Sequence, residues 1–111
     1  MIRRVWHGWT TAADAGAYEA LLLREIAPTI GERGIPGCLG MEVLRRPLGD
    51  EVEFVTIMRF ESMDAVRAFA GPDPEAAVVP PAARALLRRF DLRSAHYEVR
   101  AAYRWLQEEH P

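Results

Sequence analysis

Ten consecutive residues, Glu51–Phe60, constrain this chain more than any other stretch. In an extended chain Val52, Phe54, Thr56, Met58 and Phe60 point to one side, and Glu51, Glu53, Val55, Ile57 and Arg59 to the other. Just upstream, Leu39–Arg46 reads as a second strand with Leu39, Met41 and Val43 on one face. Pro47, Leu48, Gly49 and Asp50 supply turn chemistry between the two, which predicts a hairpin. A two-stranded hairpin is marginal alone in water, so the remaining chain must add strands and cover the apolar face.

The flanking segments do this in a recognisable order. Ile2–Thr10 is bulky and free of proline, and reads as a strand. Thr11 with Asp14 three residues later has the spacing of a capping box that opens a helix. Tyr18, Leu21, Leu22, Ile26 and Ile30 continue it as one apolar stripe, with Pro28 expected to loosen its last turn. Gly34, Pro36 and Gly37 end it. After the hairpin, Ser62 caps a helix from Met63 to about Ala70, with Val66 and Phe69 inward. Gly71, Pro72, Asp73 and Pro74 break that helix. A second helical piece is expected over Pro81–Phe90, with Ala85, Leu86 and Phe90 inward, and a last strand over Leu92–Arg100. Ala101–Glu109 is expected to form a short helical tail that docks through Tyr103 and Leu106.

The order βαββαβ, with right-handed crossovers, implies a ferredoxin-like α+β fold. Its four-stranded antiparallel sheet carries both helices on one face and sets the last strand beside the first. The 111 residues suit one domain, 1–111, with a core of about 2–100 and a C-terminal tail over 101–111.

Charge removes some functions. The chain has 14 basic and 16 acidic residues, interspersed, so no clustered basic surface for nucleic acid is expected. No apolar run approaches the roughly 20 residues that span a bilayer. Met1–Thr10 lacks a signal-peptide pattern, and a cytoplasmic location is expected. Cys38 is the one cysteine, so it makes no internal disulfide and, alone, no structural zinc site.

The helices cover one sheet face. The other is expected to carry Val55 and Ile57, with Val5, His7 and Trp9 from the first strand. A half-apolar face in water needs a cover. A second copy provides one by two-fold symmetry, which predicts a homodimer through sheet-to-sheet packing.

Two sets of residues are candidates for chemistry. His7 and His96 fall mid-strand on strands expected to be neighbours. Paired in register they share a face near Glu98 and resemble a general base with its orienting carboxylate. The alternative is a hydrogen-bonded polar layer at the dimer seam. Two histidines and a glutamate also suit a metal, but the spacing is not diagnostic, and no metal is expected. His110 is terminal and expected in solvent. Trp6, Phe54, Met58, Phe60 and Tyr97 either line a pocket between sheet and helices or simply fill the core. Tyr97 is the best polar candidate there, because a buried hydroxyl needs a partner. The segment Gly71–Pro81 reads as a lid or as a rigid turn. Arg3, Arg4, Arg45, Arg46 and Arg59 are expected to be solvated or salt-bridged, and Arg84, Arg88 and Arg89 to lie on the outer side of a helix.

Five stretches stand out together: Val5-Trp6-His7-Gly8, Gly37-Cys38-Leu39-Gly40, Glu53-Phe54 through Phe60-Glu61-Ser62, Phe69-Ala70-Gly71 and His96-Tyr97-Glu98-Val99. With them the chain resembles small proteins of the antibiotic biosynthesis monooxygenase type, within the dimeric α/β-barrel superfamily. The resemblance implies a cofactor-independent oxygenase acting on a reduced aromatic of the polyketide anthrone or quinol kind. Under that activity the candidates named above divide into Tyr97, His96 and His7 for catalysis and Trp6, Phe54, Met58 and Phe60 for contact with substrate. Well-understood relatives combine Trp, Asn and Tyr between sheet and helices, whereas this chain has Phe60 at the usual Trp position and no Asn. Haem-degrading relatives place a histidine on the second helix, and none occurs between Ser62 and Phe90. Two other readings stand beside the oxygenase. One is a dimeric barrel protein that binds a small apolar ligand or catalyses a cyclisation or isomerisation. The other is a non-catalytic dimeric protein.

Overall fold

The computed structural model describes residues 1–107. Strands β1 (Ile2–Thr11), β2 (Cys38–Leu48) and β3 (Glu51–Phe60) run antiparallel in the order β2-β3-β1. Gly49 closes the β2–β3 hairpin at φ +66°, a left-handed angle open to glycine. β1 meets β3 along its whole length, from Ile2 opposite Phe60 to Thr11 opposite Glu51. Burial alternates strictly along β1: Ile2, Arg4, Trp6, Gly8 and Thr10 are buried, and the residues between them half-buried. The inner face therefore joins these five to Val52, Phe54, Thr56, Met58 and Phe60 of β3. A bulge between Cys38 and Gly40 turns Leu39 out to 45% exposure, so it does not share the inner face with Met41 and Val43 as expected.

The first helical layer is one rod in three segments. These are α1 (Ala15–Leu21), a π-helical turn (Leu22–Ile26) and α2 (Ala27–Glu32). The Thr11 hydroxyl accepts from the Asp14 N–H at 3.1 Å, as the capping pattern predicts. Pro28 has no N–H, and its ring collides with the carbonyl four residues back in a regular helix. The chain widens just before it, and the Ala27 N–H reaches the Leu22 carbonyl instead. The loosened turn thus precedes Pro28. On α3 (Met63–Ala70) the Ser62 hydroxyl caps Ala65 N–H, and Val66 and Phe69 are buried. Two apolar clusters result, one around Trp6, Tyr18 and Phe54, the other around Met58, Phe60, Val66 and Phe69.

The last third departs from expectation. Helix α4 covers only Pro81–Arg84, and Leu87–Phe90 forms strand β4 instead of helix. β4 pairs with Gly8–Thr10, and β5 (Ala95–Glu98) pairs with Ile2–Val5, so the lane beside β1 holds two short strands in place of the expected one over Leu92–Arg100, and only Ala95–Glu98 of that stretch is strand. The reason is the length of β1. Without β4 the C-terminal half of its edge would lack hydrogen-bond partners. Between the two pieces, residues 91–94 face only Trp6 and His7, and the surplus loops outward. It bonds to the proline-rich segment: Ala77 N–H to the Leu92 carbonyl at 3.0 Å, and Ser94 N–H to the Glu75 carbonyl at 2.7 Å.

A one-residue slip decides the faces. Thr10 lies opposite Leu87 but Trp9 opposite Arg89, which leaves Arg88 as an extra residue. Such a bulge moves every later residue of the lane to the other side of the sheet. His96 consequently stands opposite Arg4 on the inner face, and Tyr97 opposite Arg3 on the outer face. His7 and His96 lie on opposite faces, which ends their expected pairing, and Glu98 stands opposite Ile2 at the sheet's end.

Beyond β5 residues 99–107 adopt no regular structure, so the expected tail helix is absent from its described part. Tyr103 and Trp105 stack on each other, 5.7 Å between centroids, and Tyr103, Trp105 and Leu106 are exposed rather than docked. Glu108, Glu109 and His110 lie outside the described residues. Among the described residues no helix is long and apolar enough to cross a membrane.

Candidate functional site

The two apolar clusters do not quite meet, and a cavity of about 60 Å³ lies between them. That is room for a few water-sized groups, since one water needs about 10–15 Å³ on the same measure. Its floor is the sheet (Arg4, Trp6, Met41, Thr56, Met58), and its wall is the first helical rod (Tyr18, Leu22, Ile26, Ile30). Val78, Val79 and Pro80 form the roof, and Ser94 closes one side. Leu22 and Ile26 come from the widened π-turn, a feature frequent at functional sites. Ile26, Ile30, Phe69, Val78 and Pro80 also border a wider outer vestibule of about 330 Å³, with Glu25 and Arg33 at its rim. Together the two spaces make an apolar funnel of the size range that takes small organic molecules.

Arg4 departs furthest from expectation. It is 4% exposed, not solvated, and no carboxylate pairs with it among the described residues. Its guanidinium donates to the Pro74 carbonyl, to the Ala76 carbonyl at 2.8 Å and to His96 Nε2 at 2.9 Å. It also lies 5.5 Å from the centre of the Phe69 ring. Burial lowers its pKa, but a guanidinium starts so high that it stays charged.

These bonds also fix the roof. Arg4 holds the segment at 74–76 from beneath, and Arg93 holds it from outside through Asp73 and Glu75 at 3.1 Å. Arg93 keeps the Asp73 carboxyl below its usual range, mainly through the hydrogen bond between them. Of the two expectations for this segment, the anchored turn describes it and the free lid does not.

His96 accepts from Arg4 at Nε2, which assigns the ring proton of the neutral imidazole to Nδ1. Nδ1 is buried and has no partner among the described residues. Burial pushes the His96 pKa down, the Arg4 charge pushes it further, and Glu75 pulls weakly the other way. A histidine whose folded pKa lies below its unfolded value of about 6.5 stabilises fully above that pH. That contribution is lost as the pH falls through the window beneath it, where the unfolded chain binds the proton more readily. Thermal melts of wild type between pH 7.5 and 5.5 are expected to fall more steeply than those of His96→Gln. Parallel slopes would remove His96 from the balance.

Tyr18 is 1% exposed and sets its edge on Phe54, 4.8 Å between centroids. Burial raises its pKa far enough that the phenol stays protonated at neutral pH, and its hydroxyl has no hydrogen-bond partner among the described residues. Ser94 is 4% exposed, and its Oγ is buried without a partner among the described residues.

The expected site residues separate. Trp6 and Met58 line the cavity, and Trp6 Nε1 donates to the Asp91 carbonyl at 2.9 Å. Phe54 and Phe60 are fully buried core on β3 and do not line the cavity. His96 borders the inner end through Arg4. His7 sits on the outer face, its Nδ1 2.7 Å from an Asp91 carboxylate oxygen that also accepts the His7 backbone N–H at 3.0 Å. Tyr97 is 59% exposed on that face and lies outside the cavity. Sequence reasoning did not single out Arg4, Tyr18, Thr56 or Ser94 for the site. Arg4 alternates with Ile2 and Trp6, so its inward direction was readable, and Tyr18 heads the apolar helix stripe. Ser94 carries no such signal, because its place depends on the excursion at 91–94. Among the described residues no three His, Cys, Asp or Glu side chains cluster as a metal site would.

The arrangement combines a mainly apolar lining with three polar side chains able to donate hydrogen bonds: Arg4, Tyr18 and Ser94. The fold that frames this cavity is shared with a known structure. A Bacillus cereus protein described as a candidate antibiotic biosynthesis monooxygenase has the same fold, with a TM-score of 0.63 at 18% identity over 96% of this chain and 98% of that one. No curated protein matches. The family model for antibiotic biosynthesis monooxygenase matches residues 1–90, from the strand that carries Arg4 and Trp6 to the end of β4. With four-fifths of its length under that one model, and the sheet-and-helix frame to go with it, the chain belongs to the antibiotic biosynthesis monooxygenase family.

Proposed function

We propose that the protein is a cofactor-independent monooxygenase that oxidises a small, electron-rich aromatic of the anthrone or quinol type. The observation that carries this reading is the funnel itself, mainly apolar in its lining and holding Arg4, Tyr18 and Ser94, the last with a buried hydroxyl that has no partner among the described residues. An anthrone needs little more. Its ring CH₂ loses a proton, and the resulting anion passes one electron to O₂. The radical pair closes a C–O bond, the peroxide takes up a proton, and loss of water leaves a carbonyl. The sum, CH₂ plus O₂ to C=O plus H₂O, requires no added reductant. Trp6, Leu22 and Met58 hold the ring away from water, and Tyr18, protonated, supplies a donor to the developing oxygen anion.

The test is oxygen uptake by chelator-treated protein with a panel of anthrones and quinols. Uptake above the uncatalysed rate is expected, and none with any substrate would end the oxygenase reading. One feature favours a second reading, a ligand-binding protein of the same fold. Among the described residues no carboxylate and no free imidazole lines the inner cavity to act as base, since His96 Nε2 is occupied by Arg4. Tight binding of an anthrone without uptake would select it.

The reading includes a homodimer closed by the outer sheet faces and keeps the cytoplasmic location and the single domain 1–111. Val5, Ile57 and Val55 form an apolar centre there, between Leu44 at 45% exposure and Tyr97. Arg3 and Arg59 stand directly opposite each other, and Arg3 Nη1 is buried without an acceptor among the described residues. Like charges so placed repel, and an acceptor from a second copy would relieve both defects. Ile57→Lys is expected to convert a dimer into a monomer by light scattering at micromolar concentration. A wild-type monomer under those conditions would contradict the dimer.

A further inference from the structure

The inner end of the funnel carries an electrostatic imbalance that a neutral aromatic would leave uncorrected. Arg4 brings a full positive charge to a position 4% exposed, and no carboxylate meets it among the described residues. A buried charge is costly unless paired. Two carbonyls, one imidazole nitrogen and the face of Phe69 compensate it only in part. Those bonds use three of the five N–H donors of a guanidinium, so two remain. Ser94 lines the same cavity and bonds through its N–H to Glu75, between the two residues that Arg4 holds; it is 4% exposed, and its hydroxyl has no partner among the described residues. A buried hydroxyl loses its hydrogen bonds to water and is expected to regain one.

We infer that Arg4 and Ser94 form an anion subsite that takes the negatively charged oxygen of an acidic aromatic ligand at the inner end of the cavity. This rests on the funnel being the ligand site, as in the oxygenase reading, and it narrows the ligand class to aromatics bearing a carboxylate or an ionised phenol or enol. Charge-assisted bonds to such an oxygen are about twice as strong as neutral ones and reinforce each other where water is excluded. For an ionisable hydroxyl the same charge favours the deprotonated form, so no basic side chain is needed on the cavity wall. Arg4 also holds the roof at Pro74 and Ala76, so an anion on Arg4 would be sensed directly by the strap over the cavity.

The probes are 2-naphthoate and its neutral isostere 2-naphthamide, titrated calorimetrically into the full chain at pH 8. Wild type is expected to bind naphthoate at least tenfold more tightly than the amide. Ser94→Ala is expected to cut naphthoate affinity severalfold with the amide unchanged, and Arg4→Met to bring the two probes within twofold. Arg33→Gln, at the rim, is expected to leave the preference intact. Equal affinities in wild type, a preference that survives Arg4→Met, no binding of naphthoate, or loss of the preference in Arg33→Gln would each overturn the subsite. If Arg4→Met fails to fold, Ser94→Ala and the wild-type ratio still decide. Anion preference without oxygen uptake would leave the subsite standing and remove the oxygenase. Uptake without anion preference would do the reverse.

Discussion

Phe54→Ala is expected to leave the protein largely unfolded at 37 °C. Phe54 is fully buried at the centre of β3, with Tyr18 set edge-on to its ring and the Arg45 guanidinium 5.5 Å from its centre. Truncating a buried phenylalanine costs about 3–5 kcal/mol, the transfer term plus the cavity it leaves. A domain of this size has a total stability of about 5–15 kcal/mol, so one such loss removes much of it. The loss also frees Tyr18, which forms a wall of the site. Urea denaturation followed by fluorescence is the measurement, with the midpoint falling and the slope unchanged. Phe54→Leu is expected to recover most of the loss. A cost below about 1 kcal/mol for the alanine variant would mean that the core is not organised around this ring.

Thr56, two residues along the same strand, is expected to behave in the opposite way. It faces the cavity rather than the core, and its hydroxyl makes no hydrogen bond among the described residues. Thr56→Leu adds apolar bulk to a space of only about 60 Å³. The melting temperature is expected to hold or rise, because the change fills a void and removes a polar group. Turnover is expected to drop at least about tenfold, which corresponds to about 1.4 kcal/mol of lost transition-state stabilisation. Unchanged turnover with an intact fold would place the reaction outside this cavity. The two variants together separate a core defect from a blocked site on neighbouring positions of one strand.

Alternation carried most of what the sequence revealed. The faces of β1 and β3, the hairpin and the capped helices follow from period-two and period-3.6 spacing, because a strand or helix that buries one side must repeat at that interval. Arg4 obeyed the rule against its chemistry: its parity points inward while its charge suggests solvent. Misreading Tyr97 and His96 had a different cause. One extra residue at Arg88 inverts the faces of everything after it, and a single bulge has no fixed sequence signature. The helix expected over Pro81–Phe90 failed because the unpaired edge of β1, a tertiary demand, outweighed local preference. Ser94 was invisible for the same reason, since it reaches the cavity only through the excursion between β4 and β5.

The most direct test of the central claim is to follow both oxygen atoms with ¹⁸O₂. Metal-stripped, flavin-free protein would be turned over on an anthrone under labelled gas. The account requires one O₂ consumed per carbonyl formed, one labelled atom in that carbonyl and the other in water. Hydrogen peroxide released in step with oxygen uptake, or a product oxygen that comes from solvent without exchange of the finished carbonyl, would contradict it.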